Sequence, residues 1–376
     1  MTFIQTTHVG SLPRSPELAA LLIKRDHRQE VSEAEFDALV SSEIETAIRR
    51  QVKAGVSIVS DGELGKVGYS TYITSRLSGF GGHVDRTPAK DLADLPELRT
   101  KLAAIMGSQT FVRAACIGKV QLVDSKPVED DVRRFSAAMR KEGQSVRGFM
   151  NAASPGLVTA FQPNQFYPTH EEYLADLVEA MRPEYEAIVA AGFDLQLDAP
   201  DLAMAAHTGF QDLSEAEFLR RAEHNVEALN AATANIPAER MRIHICWGNY
   251  EGPHDHDIAL EKVIGTILKA RPTRLLFEAA NPRHEHEWIV WRDANLPDDK
   301  VLVPGLIDSC SNYVEHPELI AQRIERFASI VGPERVIAGS DCGFGTFAGY
   351  GKVDPAVTWK KLAALREGAD IAAKRL

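Results

Sequence analysis

Short, almost wholly apolar runs alternate along the chain with longer stretches in which apolar residues recur every three or four positions. The short runs suit strands buried on both faces, and the longer stretches suit helices that cover them, so the pattern predicts βα units around a parallel sheet. Eight candidate strands can be counted, near residues 6–11, 57–63, 148–155, 193–200, 241–248, 274–280, 301–308 and 335–342. Eight is the number that closes a (β/α)8 barrel.

The helices announce where they start. Ser32-x-x-Glu35, Thr169-x-x-Glu172 and Ser214-x-x-Glu217 are capping-box patterns, in which hydroxyl and carboxylate serve N-terminal amides that the helix leaves unpaired. Gly55, Gly192 and Gly332 each fall where a helix would stop. The spacing breaks once: about 85 residues separate the second and third strands, far more than a βα connection needs. This stretch, about 64–147, is rich in Gly, Asp and Pro around 78–96 and reads as an insertion folded over the barrel mouth, with a hairpin near Val112 to Leu122. The expectation is a single α/β domain, a TIM barrel with that insertion.

Composition narrows the function. A net charge of −11, with Lys and Arg scattered among acidic residues, leaves no basic patch for nucleic acid or an anionic membrane. The first residues, MTFIQTTHVGSLPR, have no signal-peptide pattern, and no apolar run approaches a membrane span, so a cytoplasmic enzyme of small molecules is expected. Four scattered cysteines, Cys116, Cys246, Cys310 and Cys342, do not make a disulfide framework in a chain this long.

The chemistry gathers at the C-terminal ends of the runs, where such barrels keep their active sites. MRIHIC, TRLLFE and ERVIAGSDC end on His244, Cys246, Glu278 and Cys342. Residues two apart on a strand share a face, so His244 and Cys246 would look into one interior. Two thiolates, an imidazole and a carboxylate make a tetrahedral zinc set. A lone Cys or His at such a position is more often packed core. Here the four occur together with His8, Ser11, Asp61, Glu63, Asn151, Ser154, Asp198, Asp308 and Asp341, and so much buried polarity is costly unless a dication and a charged substrate use it.

The pieces THVGSLPR, SDGE, SPGLVTAF, LQLDAPDLA, IHICWGN, LLFEAANPR and GSDCGFG, in this order, resemble the catalytic half of cobalamin-independent methionine synthases across almost the entire chain. The resemblance implies a TIM barrel, a catalytic zinc, and methyl transfer to a thiol such as homocysteine. It puts the zinc ligands on His244, Cys246, Glu278 and Cys342, the carboxylates that bind the amino acid's ammonium on Glu63 and Asp198, and the turn that meets its carboxylate on Gly10 and Ser11. An ammonium suits two carboxylates, and a carboxylate suits amide and hydroxyl donors. Two positions depart from the family. Asp308-Ser309-Cys310 stands where the family has Asp-x-His, leaving the proton-transfer role vacant or filled by a group such as His316. No Trp follows Val158-Thr159, where the long enzymes stack the folate's pterin, so the methyl donor is open between a folate, a corrinoid protein and a small methylated compound.

The expected mechanism is that zinc lowers the acceptor thiol's pKa so that a thiolate attacks an electrophilic carbon, Glu278 yielding its place to the incoming sulfur. Asp308 and Asp341 are the candidate catalytic groups, orienting ligands or relaying protons; Asp341 could equally cap a helix. The alternative keeps metal and thiol but opens an epoxide, as in epoxyalkane:coenzyme M transferases, and would need basic residues in the thiol's pocket. A zinc hydrolase and a non-catalytic binding protein are the other classes. His254, His256, His284 and His286 read as solvated surface, and Arg14 and Lys66 as surface ion pairs or holders of an anionic tail. His8 reads as a structural hydrogen bond or a substrate contact, Cys116 as an inert packed thiol, and Tyr69 and Trp247 as mouth or packing residues.

Overall fold

All eight apolar runs form strands of one parallel sheet. The computed structural model describes residues 3–85, 87–105 and 113–376. In chain order its strands are β1 (Gln5–Thr6), β2 (Ile58–Ser60), β3 (Phe80–Gly81), β4 (Ala115–Cys116), β5 (Arg147–Ala153), β6 (Asp194–Asp198), β7 (Met241–His244), β8 (Arg274–Phe277), β9 (Val301–Ile307) and β10 (Ile337–Ser340). The sheet runs β1-β10-β9-β8-β7-β6-β5-β2, and β3 pairs with β4 apart from it. Between its two end strands Ser57 donates its N–H to Thr6 O at 3.0 Å and Thr7 Oγ1 donates to Ile58 O at 3.0 Å, which closes the sheet into a (β/α)8 barrel.

The ladders are shorter than the apolar runs that predict them. Regular pairing stops at Ser60, Asp198, His244, Phe277, Ile307 and Ser340, and Glu63, Asp198, His244, Cys246, Glu278, Asp308, Asp341 and Cys342 sit at these ends or one to three positions beyond. That is where a barrel strand, free of its neighbours, can turn side chains into the mouth.

Two apolar layers hold the sheet. Val9, Ile58, Phe149, Leu276, Val303 and Ile337 make a small inner cluster, while the larger cluster lies between strands and helices. The buried Arg242 guanidinium shares the interior, 3.9 Å from the centre of the Phe149 ring, and donates to Thr7 Oγ1 at 3.0 Å and His8 O at 2.8 Å. Its charge is thus spread over a π face and two acceptors.

The helix starts lie where the capping patterns put them. Ser32 and Thr169 cap with the hydroxyl, and Ser214 and Glu217 complete the reciprocal box. Gly55, Gly192 and Gly332 all take positive φ, between 80° and 94°, just past their helices.

Between β2 and β5 the chain carries β3, β4 and helices Lys90–Ala93, Pro96–Ile105 and Lys126–Glu142. The last of these lies along helix Glu33–Lys53 through Arg134–Asp37 and Arg49–Glu142 ion pairs. Residues 88–91 reach the mouth: Gln211 Nε2 donates to Pro88 O at 3.1 Å and Tyr250 Oη to Asp91 at 2.5 Å. The expected hairpin within 112–122 is not the pairing formed. Ala115–Cys116 pairs instead with Phe80–Gly81, and Leu77 bridges Leu122, so the ribbon joins two distant segments; Val112 lies outside the described residues. Among the described residues no helix is long and apolar enough to cross a membrane.

Candidate metal centre and amino-acid pocket

His244 ends β7 and Cys246 follows two residues later, while Cys342 comes two residues after the end of β10. One ligand atom from each lies within 4.8 Å of the other two, and all three residues are buried. The sulfurs of Cys246 and Cys342 are 3.9 Å apart and unbonded. Metal–sulfur bonds of the zinc type span a tetrahedral edge of about 3.8 Å, so the pair is spaced for a common ion. The neighbouring Cys342 thiol and burial push Cys246 well above the ordinary thiol range. Soft sulfur and imidazole donors fit a zinc-like ion and not the oxygen-seeking magnesium or calcium.

The orientation of His244 is fixed from both sides. Its Nδ1 lies 3.4 Å from Asp198 Oδ1 and its Nε2 3.3 Å from Asp341 O. Burial pulls this imidazole down, but the Asp198 hydrogen bond, Cys342 and Glu278 outweigh it and raise it to about 9. A ligand imidazole backed by a carboxylate is held in one tautomer and made more basic.

Glu278 is buried beside this group but is not one of the three mutually close ligands. Its Oε1 accepts the Trp247 N–H and its Oε2 the Asn281 amide, each at 2.7 Å. Asp341, a candidate catalytic group, spends its carboxylate on backbone: Ala279, Ala280 and Asn281 each donate an N–H at 2.9 Å. Asp308, the other candidate, is half-buried and accepts the Cys310 N–H at 2.8 Å.

Glu63 and Asp198 line one tight cleft with Lys66, Tyr69, Arg76, Asn151 and Glu184. Glu63 has φ 54°, an uncommon conformation for a non-glycine residue, held by its N–H to Asp61 Oδ1 at 3.0 Å. Burial pushes its carboxyl up to about 7, Lys66 opposing and Asp198 assisting. Asp198 accepts Asn151 Nδ2 at 3.0 Å and Gln196 Nε2 at 2.8 Å. The turn at Gly10 and Ser11 is tied to both sides of the mouth. Ser60 Oγ donates to Gly10 O at 3.0 Å, and Phe344 N–H to Ser11 O at 2.8 Å.

Several residues sit differently from expectation. Lys66 is buried, not a surface ion pair; it donates to Asn151 O at 2.7 Å, and its charge is sustained against burial by Glu63, Asp61, Glu184 and Asp131. His284 is buried and His254 nearly so, both 2.9 Å from Asp257 Oδ2, with His284 also 2.8 Å from Glu287. The adjacent His256 and His286 are exposed, as the sequence suggests. His316, a candidate for the vacant histidine's role, is exposed and caps helix Pro317–Val331 by accepting the Glu318 N–H. Trp247 is packed, with its indole N–H donating to Ile258 O at 2.7 Å, and His8 makes a structural bond of 2.7 Å to Gln51. Cys116 is a buried, free thiol on β4. Arg14 is half-buried and donates to Glu63 O and Lys66 O. The alternation of charge in SDGELGK gave no sign that Lys66 would be enclosed.

Comparison with known proteins bears on the family and the fold. Residues 3–364 match the family model described as the catalytic domain of cobalamin-independent synthase. The chain is 23% identical over 380 aligned residues to a methionine synthase of Thermococcus kodakarensis, covering 100% of this chain and 95% of that one. It is 21% identical over 381 aligned residues to a methionine synthase of Saccharolobus solfataricus, covering 100% and 97%. In fold it resembles the B12-independent methionine synthase of Shewanella sp. W3-18-1 solved with selenomethionine, with a TM-score of 0.70, 19% identity, and coverage of 99% of this chain and 98% of that one.

Proposed function

The chain belongs to the family of cobalamin-independent synthase catalytic domains, methyltransferases of the methionine synthase type, and from that premise we propose that it methylates the thiol of homocysteine or a closely related amino acid with a zinc ion held by His244, Cys246, Cys342 and Glu278. The observation that carries the reading is the pair of free sulfurs 3.9 Å apart beside a buried imidazole at the barrel mouth. When bound, the zinc supplies Lewis acidity that lowers the acceptor thiol's pKa into the neutral range.

The chain's own residues do the rest. Glu63 and Asp198 hold the acceptor's ammonium, and the Gly10–Ser11 turn meets its carboxylate. Asp341 acts through the backbone it grips, keeping the Glu278 turn beside Cys342, and Asp308 stands where a proton could be relayed. The thiolate attacks the methyl carbon; a sulfur–carbon bond forms, and the donor leaves with the electron pair of the bond it loses. Glu278 is the ligand suited to exchange, since its present partners are a backbone N–H and an amide that can retain it.

Lys66 and Arg76 put basic groups in the acceptor cleft, the feature that a sulfonate thiol such as coenzyme M would require. Arg76, however, is already paired with Glu184, and Lys66 is surrounded by carboxylates. A zwitterion suits that balance better than a sulfonate. On the donor side, a folate is disfavoured by the absence of Trp after Val158-Thr159, which leaves a corrinoid protein or a small methylated compound ahead of it. The segment of about 64–147 is read as part of the same catalytic domain, and a reducing, cytoplasmic setting suits free thiols at the centre.

The test is an assay of zinc-loaded protein with homocysteine against methylcobalamin, methyltetrahydrofolate and small methylated donors, following thiol loss and methionine formation. Methionine from at least one donor, dependent on zinc, is expected. No thiol consumption with any donor, or equal activity after zinc removal, refutes the reading.

A further inference from the structure

A second, tight cleft lies between the loops that follow β7, β9 and β10 and is lined by Asn249, Ser309, Gly343, Phe344, Thr346 and Lys352, among others. It begins one residue from Cys342. Its hydrogen-bonding capacity is spent unevenly. Asn249 Oδ1 accepts from Ser309 Oγ at 3.0 Å and Cys310 Sγ at 3.2 Å, and Asn249 Nδ2 donates to Gly343 O at 2.9 Å and Thr346 Oγ1 at 2.7 Å. The amide assignment is therefore forced, because only the nitrogen can donate to a carbonyl. Every acceptor on Asn249 is used.

What remains is donor capacity. Lys352 Nζ is buried with no hydrogen-bond partner, although three N–H bonds are available to it. Thr346 Oγ1 already accepts from Asn249, so its own O–H is left to give. Glu251 and Asp308 are the carboxylates whose charge Lys352 feels, yet neither reaches its nitrogen. Burial lowers this ammonium below the ordinary lysine value. An enclosed cation without a partner is unfavourable and is expected to be answered by a ligand or water.

The geometry points to an oxyanion site in this cleft, in which Lys352 and Thr346 hold a carboxylate, phosphate or sulfonate group of the methyl donor. The inference rests on the methyl-transfer reading only in assigning that anion to the donor. A donor anchored there would leave the pocket lined by Glu63 and Asp198, which shares none of these residues, to the acceptor.

The experiment measures binding without turnover. Acetate, inorganic phosphate and methanesulfonate are titrated calorimetrically into the metal-loaded full-length protein and into Lys352→Met, Lys352→Arg and Thr346→Val. At least one probe should bind saturably, and which one binds identifies the oxyanion. Lys352→Met should weaken it by roughly 10- to 100-fold, the span of a charge-assisted hydrogen bond, while Lys352→Arg largely keeps it and Thr346→Val shows a smaller loss. Thermal melts verify that each variant is folded; if Lys352→Met is not, the Arg and Val variants decide. Saturable binding of none of the probes, or binding that the Lys352 and Thr346 variants leave unchanged, overturns the site. A donor KM that rises in Lys352→Met with the homocysteine KM unchanged supports the assignment to the donor. Anion binding in a protein that methylates nothing would instead sink the methyl-transfer reading and leave the site standing.

Discussion

Asn281 gives Asp341 two hydrogen bonds, one from its backbone N–H at 2.9 Å and one from its side-chain amide at 3.1 Å. With the N–H groups of Ala279 and Ala280, they fasten the turn after Glu278 to the residue that precedes Cys342. Asp341→Asn would turn an NH2 toward groups that can only donate. The expected cost is about 1–3 kcal/mol of stability and a loss of roughly 10- to 100-fold in zinc affinity. Urea unfolding and chelator competition measure the two; no change in either would show that the carboxylate is dispensable.

Cys246→Ser or Cys342→Ser should abolish stoichiometric zinc and thiol methylation while the barrel stays folded, because the inner and outer apolar clusters do not depend on these sulfurs. Metal analysis and far-UV circular dichroism on the same preparations check this. Full zinc occupancy in either serine variant would remove that sulfur from the ligand set.

Asp198→Asn keeps the size of the side chain but removes the charge proposed to face the acceptor, at the cost of turning an NH2 toward donors such as Asn151 and Gln196. Homocysteine KM should rise by roughly 10- to 100-fold, the value of a charged hydrogen bond, with zinc content unchanged. Steady-state kinetics beside metal analysis decides; an unaltered KM would place the ammonium elsewhere.

Acceptor binding should depend on Glu63. Burial sets its carboxyl at about 7 in the folded chain against an ordinary value of 4.5. The folded state therefore holds a proton that the unfolded state has released, and stability declines as pH rises from 4.5 through 7, by roughly 3 kcal/mol at most. An ammonium needs the ionised form, so homocysteine affinity should grow as pH rises through 7. In Glu63→Gln both trends should flatten. Titration calorimetry and denaturation across pH 5 to 8 test this, and identical slopes in the two proteins would contradict it.

Asp257 joins His254 and His284 at 2.9 Å each and has His207 Nδ1 at 3.3 Å. Despite burial, Asp257 and Glu287 raise His284 to about 10, a contribution fully present below pH 6.5 and lost as pH climbs through 10. Asp257→Asn should cost about 1–3 kcal/mol at neutral pH, because His284 keeps Glu287 but loses one of its two carboxylates and His254 loses its charged partner. Thermal unfolding monitors it, and a loss below about 1 kcal/mol, the worth of an exposed pair, would mean that the network is not charged.

The strands were legible because a parallel strand covered on both faces is written as an unbroken apolar run, and the chemistry at its end stands out against that background. TRLLFE and MRIHIC are such cases. What escaped was neutralised or paired from far along the chain. Lys66 meets Asn151 and His284 meets Asp257, 85 and 27 positions away, so their local sequence looked solvated. The ribbon of Phe80–Gly81 with Ala115–Cys116 escaped for the same reason, since two-residue strands have no periodicity to read.

The seam between β1 and β2 is bridged by a few hydrogen bonds and not by a continuous ladder, and the residues just beyond those two strands are Gly10, Ser11 and Glu63. His244, Cys246 and Glu278 follow strands paired on both sides. Local opening is cheapest where fewest backbone bonds must break. On the proposed reading, the Gly10, Ser11 and Glu63 side of the acceptor pocket is expected to open more readily than Asp198 and the ligand-bearing ends of β7 and β8, which rest on strands paired on both sides.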